Sequence, residues 1–154
     1  MNDLLRHTVA TLAYRASRAL RRAPPEFADF QLDAATRTPV QILAHMGDLF
    51  EWGLSIANGH EQWHNAVPLP WNQEVSRFFA ALEGFDRRLA QPEPLGAPAE
   101  RLFQGPIADA LTHTGQLAML RRVAGSRIGG ENYFVAAVTV GRVGLEQEKP
   151  VVEF

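Results

Sequence analysis

The chain has 154 residues, of which 46% are hydrophobic, a formal net charge of -2 and no cysteine. This length fits a single domain over residues 1–154, and the near-neutral charge without like-charged blocks argues against a nucleic-acid-binding protein. The lack of cysteine excludes disulfides, thiolate metal ligands and a cysteine nucleophile, so carboxylates and imidazoles must carry any metal or acid–base chemistry.

The first predicted helix covers residues 3–22, where apolar residues recur at steps of three and four along one face. Its arginines follow helical spacing and predict a solvated helix face: Arg15, Arg18, Arg21 and Arg22.

The N-terminal stretch lacks the continuous apolar run and the cleavage site of a signal peptide. No run in the chain reaches the length of a membrane span, so we expect a cytoplasmic protein without membrane contacts.

The second predicted helix begins at the run Thr38-Pro39-Val40-Gln41. Threonine is a preferred N-cap, proline suits the first helical position, and glutamine at the third position can close a capping box. Asn58-Gly59 ends this helix, because glycine after the last periodic residue is a common C-terminal stop.

The third predicted helix covers residues 72–90, and the fourth opens at Gly105-Pro106 and ends near Gly125. The glycine-rich remainder is interpreted as an irregular C-terminal tail that lies over the helices.

Four amphipathic helices with few strand signals predict an all-α fold, a four-helix bundle. The connection from Gly59 to Trp71 is longer than usual between helices, which is compatible with a crossover that leaves the second and third helices parallel.

Residues 60–64 read HEQWH and match the H-E-x-x-H pattern of zinc proteases. That chemistry requires a helix that holds both imidazoles rigidly on one face. Here Gly59 precedes the motif and Pro68 follows it closely, so a helix would be very short, and short helices are marginally stable. We therefore predict that His60 and His64 lie in a solvated loop, in preference to a zinc-protease helix or a peripheral metal site.

Two predicted helices supply a second set of candidate metal ligands. Asp109 and His113 are spaced i and i+4, so they share one helix face, and the positions of the apolar residues turn that face toward the core. His45 borders the apolar face of the second helix. If the two helices face each other, these residues form a set of two histidines and one carboxylate, which suits Zn²⁺, Ni²⁺ or Fe²⁺ and leaves room for water or substrate.

Simpler interpretations remain open for these residues. Asp109 lies near the helix start, where its charge suits the helix dipole, and it could form an ordinary i,i+4 pair with His113. His45 could be a core histidine bonded to a backbone carbonyl. Gln116, one turn beyond His113, could bond a ligand or a metal-bound group, or be a polar residue at the core edge. Asp48 could orient the imidazole of His45 or be solvated.

Three stretches resemble the DinB/YfiT-like superfamily of metalloenzymes, and the similarity extends over nearly the whole chain: QILAHMGDLFEW, QGPIADALTHTGQLAMLRRVAG and ENYFVAAVTVGRVG. The resemblance implies a four-helix bundle with an up-down-down-up path, often dimeric. It also implies a metal bound by one histidine of the second helix and an H-x-x-x-H pair of the last. The matching positions are His45, position 109 and His113. Asp109 departs from the three-histidine pattern, which leaves the metal and its bound waters open.

The resemblance implies a class of chemistry rather than one reaction. Members include thiol-dependent S-transferases and isomerases, and proteins described as hydrolases. We therefore expect a divalent metal ion, zinc or nickel with iron as an alternative, that activates water or a low-molecular-weight thiol cosubstrate for a small-molecule substrate. A homodimer is also expected. The alternative is a metal-free helical binding or dimerisation module with Trp52, Trp63 or Trp71 as contact residues.

Overall fold

The computed structural model describes residues 2–154, and helices provide its regular secondary structure. The α-helices are α1 (Asp3–Leu20), α2 (Pro39–Ala57), α3 (Trp71–Leu89), α4 (Ala99–Leu102) and α5 (Ala108–Val123). A π-helical segment, Phe103–Ile107, joins α4 to α5, so that α4–α5 is the fourth long helical element. Short 3₁₀ helices cover Pro25–Asp29 and Tyr133–Val135. Because residues 2–154 contain no β-strand, the predicted all-α fold with four helices is confirmed.

The ends of α2 are those predicted from the sequence. The Gln41 amide donates to the Thr38 hydroxyl at 3.4 Å, and the Thr38 amide donates to the Gln41 side-chain oxygen at 2.9 Å, which closes the capping box. Asn58 is the C-cap, and Gly59 follows with a φ of 83°, a left-handed conformation that glycine adopts without strain.

The predicted start of the last helix is wrong. The helical path begins at Ala99, and Gly105-Pro106 lies inside it rather than at its start. Proline lacks an amide donor and its ring crowds the preceding turn, and the wider π-helical segment accommodates it. The buried side chains of Leu102 and Ile107 make this path favourable, because it places both in the apolar core.

Contacts between α2 and α3 show that these helices run in the same direction. Arg77, in the first half of α3, donates to the Ala44 carbonyl in the first half of α2 at 2.7 Å. Arg88, near the end of α3, donates to Asn58 at the end of α2 at 2.9 Å. The segment from residue 58 to 70 is therefore a crossover, in agreement with the expectation from its length.

The remaining helices run opposite to this pair. Arg6, near the start of α1, pairs with Asp86 near the end of α3 at 2.8 Å. Arg121, near the end of α5, donates to the Ala19 carbonyl near the end of α1 at 3.1 Å. Since α1 is antiparallel to α3 and parallel to α5, α5 also runs antiparallel to α2.

A buried ionic cluster joins α2 to α3 and corrects one sequence prediction. Arg77 bonds Asp48 at 3.0 Å, Glu51 at 2.8 Å and Glu74 at 3.0 Å. Asp48 is buried and also accepts the Ala66 amide at 3.1 Å. Asp48 is therefore neither solvated nor bonded to an imidazole. It connects the crossover to the helices, because a buried carboxylate needs hydrogen-bond and charge partners.

The C-terminal tail contacts the arginine face predicted on the first helix, where Arg15 and Arg22 are exposed as predicted but Arg18 is largely covered. The guanidinium of Arg18 lies 3.1 Å from Glu153 and 3.9 Å from Glu131. The guanidinium of Arg15 lies over the ring of Tyr133, 3.9 Å from its centre. An isolated antiparallel bridge pairs Glu131 with Glu153. These arginines therefore bind the tail, as charge pairs and a cation–π contact.

A buried tyrosine of α1 bonds the C-terminal tail. Beneath the tail, the hydroxyl of Tyr14 donates to Glu131 at 3.0 Å. Burial, together with Glu131, raises the pKa of Tyr14 to about 12.

Among the helices within residues 2–154, none combines the length and apolar character required to cross a bilayer.

Candidate metal centre

The side chains of His45, Asp109 and His113 converge where α2 faces α5. The Nε2 atom of His45 lies 3.4 Å from Oδ2 of Asp109, and Nε2 of His113 lies 3.4 Å from Oδ1 of the same carboxylate. The two imidazole rings are perpendicular, with centroids 4.9 Å apart. One donor atom from each residue can be chosen so that all three lie within 4.8 Å of one another. The juxtaposition expected from the sequence is therefore present.

The two helices place these groups by ordinary spacing. Asp109 and His113 are one turn apart on α5, so their side chains stack on one face. His45 lies in the first half of α2, and the antiparallel approach of α5 brings it opposite that face. The same approach is seen further along α2, where a methyl group at Gly53 would lie only 3.1 Å from Pro106 Cγ. Glycine at this position allows the two elements to come close.

Solvent reaches the centre from the carboxylate side. The side chain of Asp109 is 45% exposed, compared with 21% for His45 and 12% for His113. The expectation that Asp109 points into the core is therefore wrong. Asp109 is near the start of α5, next to an open cavity of about 460 Å³, so its charge remains partly hydrated and its burial cost is small.

Gln116 fixes the orientation of one imidazole. Its side-chain oxygen lies 2.8 Å from Nδ1 of His113. A carbonyl oxygen accepts, so this contact favours the tautomer of His113 with a proton on Nδ1, the form in which Nε2 can bind a metal. Metal-binding histidines are commonly held in this way, with the second nitrogen bonded to a carbonyl or carboxylate. Of the two interpretations open for Gln116, the contact with a candidate ligand is the one observed.

His45 favours the neutral form that binds metals. Burial lowers the pKa of His45, and the nearby His113 and Arg37 lower it further, while Asp109 partly opposes them. The neutral imidazole, unlike the imidazolium, has a nitrogen lone pair that can bind a metal. The contacts of His45 are with Asp109 and with aromatic rings, and no backbone carbonyl bonds it in the described part of the chain.

The donor set fits a small divalent ion. Two ligand atoms each about 2.0–2.1 Å from a tetrahedral ion are separated by roughly 3.4 Å. Each imidazole Nε2 lies at this distance from one oxygen of Asp109, His45 from Oδ2 and His113 from Oδ1, and one donor atom from each residue can be chosen within 4.8 Å of the others. Two imidazoles and one carboxylate leave at least one coordination position open, as in catalytic rather than structural zinc sites. Zinc, nickel and iron(II) all accept such ligands.

The HEQWH segment lies in the crossover and is not helical, as predicted. His64 bonds Glu51 at 3.1 Å instead of facing His60 across a helix turn. Trp63, which was not predicted to lie near the centre, packs edge-on against the ring of His45, with centroids 5.8 Å apart, and against Trp52 at 5.7 Å. The crossover therefore forms one wall of the centre.

A second cavity borders the centre on the side of His113. It has a volume of about 620 Å³, and Arg37 contributes to its wall. Arg37 was also missed by sequence reasoning, because it lies in the connection before α2 and outside any periodic segment.

Comparisons of the chain with protein families, with curated proteins and with solved structures find no match.

Proposed function

We propose that the protein is a metal-dependent enzyme of the DinB/YfiT-like type, with a divalent ion bound by His45, Asp109 and His113. The observation that carries the proposal is the convergence of these three side chains, with donor atoms within 4.8 Å of one another. Each ligand type and the tautomer of His113 suit such an ion. The reaction class is hydrolysis or transfer to a thiol, on a small-molecule substrate.

Two further observations support the superfamily assignment. The directions of α1, α2, α3 and α4–α5 follow the up-down-down-up order that the sequence resemblance implies. The ligands also come from the second and the last long helices, as the resemblance implies. The aspartate at position 109 distinguishes this chain from the three-histidine pattern.

The residues around the centre have separable tasks in this proposal. A bound divalent ion would supply Lewis acidity, which lowers the pKa of a coordinated water or thiol. Any thiol must come from a cosubstrate, because the chain has no cysteine. Gln116 holds the proton on Nδ1 of His113, and Trp63 shields the ring of His45 from water. Asp109 is half-exposed, so small molecules can approach from its side.

The alternative function is a metal-free binding or dimerisation module. The three tryptophans proposed as its contact residues already pack against other aromatic rings of the chain. Trp52 and Trp63 pack on each other, and Trp71 packs on Phe27 with centroids 5.6 Å apart. The convergence of two imidazoles and a carboxylate favours the metal-dependent enzyme, because a binding or dimerisation module does not require these three side chains to meet.

Elemental analysis of the purified protein tests the proposal. We expect about one equivalent of zinc, nickel or iron in the wild type, and its loss in His113→Ala with unchanged helicity. His7→Ala is a matched control, since His7 is an exposed histidine on α1. Absence of metal after reconstitution with each of the three ions would refute the proposal.

We further propose a homodimer, the assembly that the sequence resemblance implies. Apolar side chains are exposed on the tail, among them Phe134 and Phe154, and could contribute to a contact between subunits. Light scattering at micromolar concentration should give twice the chain mass, and a monomer mass would contradict this proposal.

A further inference from the structure

The cavity next to His113 has the shape and chemistry of a binding site for an organic molecule. Its volume is about 620 Å³, which lies within the range of small-molecule pockets. Leu32, Ile42 and Met119 provide its apolar wall. His113 and Gln116 lie on the side that faces the candidate metal centre, so a molecule in the cavity would lie beside one of the proposed metal ligands.

Arg37 is the one cationic side chain in the wall of this cavity, and its charge is not balanced within the described residues. It is exposed and forms no hydrogen bond or ion pair with any residue from 2 to 154. By contrast, Arg77 and Arg6 both bond carboxylates. The guanidinium of Arg37 is close enough to His45 to influence it electrostatically. Its donors are therefore free for a ligand beside the metal centre.

The backbone around Arg37 is fixed on both sides. The carboxylate of Asp33 accepts the amides of Ala35 at 2.8 Å and Thr36 at 3.0 Å. Immediately after Arg37, Thr38 begins α2 in a closed capping box. Only the side chain of Arg37 has to become ordered when a ligand binds, which limits the entropic cost of the interaction.

We infer that this cavity binds the apolar part of the substrate and that Arg37 binds a carboxylate on it. The substrate class is thus a small monocarboxylic acid with an apolar body. The arginine fork matches the two oxygens of a carboxylate, and one arginine balances one negative charge, whereas a phosphate dianion would leave an excess charge beside an apolar wall. The inference rests on the proposed function for the neighbouring metal, but the contacts with Arg37 and the apolar wall do not require the ion.

Calorimetric titration with three probes tests this inference, in both metal-free and zinc-loaded protein. Phenylacetate carries the apolar body and the charge, phenylacetamide has the same shape without the charge, and acetate has the charge without the body. We expect phenylacetate to bind about tenfold or more tightly than either of the others, the usual effect of one charge-assisted contact or one buried apolar group. Arg37→Ala should remove the preference over phenylacetamide, and Arg37→Lys should retain part of it.

Controls separate this inference from the proposal about the metal. Arg101→Ala replaces an exposed arginine outside the cavity and should bind the probes like the wild type. If zinc does not bind, but the preference for phenylacetate in metal-free protein depends on Arg37, the metal proposal fails and the carboxylate site stands. Equal binding of phenylacetate and phenylacetamide, or a preference that survives Arg37→Ala, would overturn the site. Equal binding of acetate would overturn the apolar part.

Discussion

Replacement of Asp109 is the sharpest test of the candidate centre, because this carboxylate lies between the two imidazoles. Each Nε2 atom is 3.4 Å from a different oxygen of Asp109. Asp109→Ala therefore removes one of three ligands and leaves two histidines. Changes to groups that merely orient ligands lower metal affinity by about 10- to 100-fold, so loss of the ligand itself should lower it by at least about 100-fold.

The same substitution should have little effect on the stability of the metal-free protein. The side chain of Asp109 is 45% exposed, and ion pairs of exposed groups contribute only about 0–1 kcal/mol. The thermal midpoint of metal-free Asp109→Ala should therefore stay close to that of the metal-free wild type. A loss of metal affinity would then reflect the missing ligand and not a partly unfolded chain.

Asp109→His should retain metal affinity, because it restores the three-histidine pattern. The open cavity of about 460 Å³ beside position 109 has room for the larger imidazole. Histidines spaced i and i+4 on a helix can share one ion. The neutral ring also removes the charge that has to be hydrated or paired when no metal is bound.

Competition with a chelating dye measures all three affinities under one condition. Asp29→Ala is the matched control, since Asp29 is an exposed aspartate outside the three-ligand set. Equal affinities for the wild type, Asp109→Ala and Asp109→His would refute ligation by Asp109. The contact with His113 would then be an ordinary i,i+4 pair, and the three-ligand centre would have to be abandoned.

Three other predictions concern single groups. Alanine at both His60 and His64 should leave metal content unchanged, because neither belongs to the three-ligand set; loss of metal on elemental analysis would contradict this. Gln116→Ala should lower metal affinity by about 10- to 100-fold, because His113 loses the acceptor for its Nδ1 proton; an unchanged affinity in dye competition would count against this role. Tyr14 has its pKa raised to about 12 from 10. Its proton therefore favours the folded state until it is lost, and the free energy of unfolding should decrease as pH rises from 10 toward 12. Denaturant titration should show a weaker decrease in Tyr14→Phe, and the same decrease in both proteins would contradict the prediction.

Features determined by neighbouring residues could be predicted from the sequence. The capping box of Thr38 and Gln41 and the stop at Gly59 were correct, because caps depend on local hydrogen bonds and local backbone conformation. The start of the last helix was missed for the converse reason. Gly105-Pro106 is a local signal for a helix start, whereas burial of Leu102 against the other helices depends on the assembled bundle.

In the candidate centre, too, features set by local spacing were predicted and features set by tertiary packing were not. The spacing of Asp109 and His113 on one helix was sufficient to place them together, and the position of His45 beside the apolar face of the second helix, together with the resemblance, indicated it as their partner. The positions of Trp63 and Arg37 beside the centre were missed because both residues lie in connections between helices, whose paths depend on tertiary packing. The exposure of Asp109 was misjudged because a helical wheel indicates direction but not the distance to solvent.

The crossover that carries Trp63 has a consequence for how this protein can be modified. Every residue from 59 to 70 is exposed except Ala66, so the crossover contributes almost nothing to the core, although Trp63 packs on the ring of His45. Substitutions at residues 60–65 can alter the surroundings of the candidate site, whereas the amides of Ala66 and Leu69 bond the buried Asp48 and Glu74 and hold the crossover to the helices. A library that varies residues 60–65 could therefore change what reaches the candidate centre while it leaves the helix stop at Gly59 and these buried hydrogen bonds unchanged.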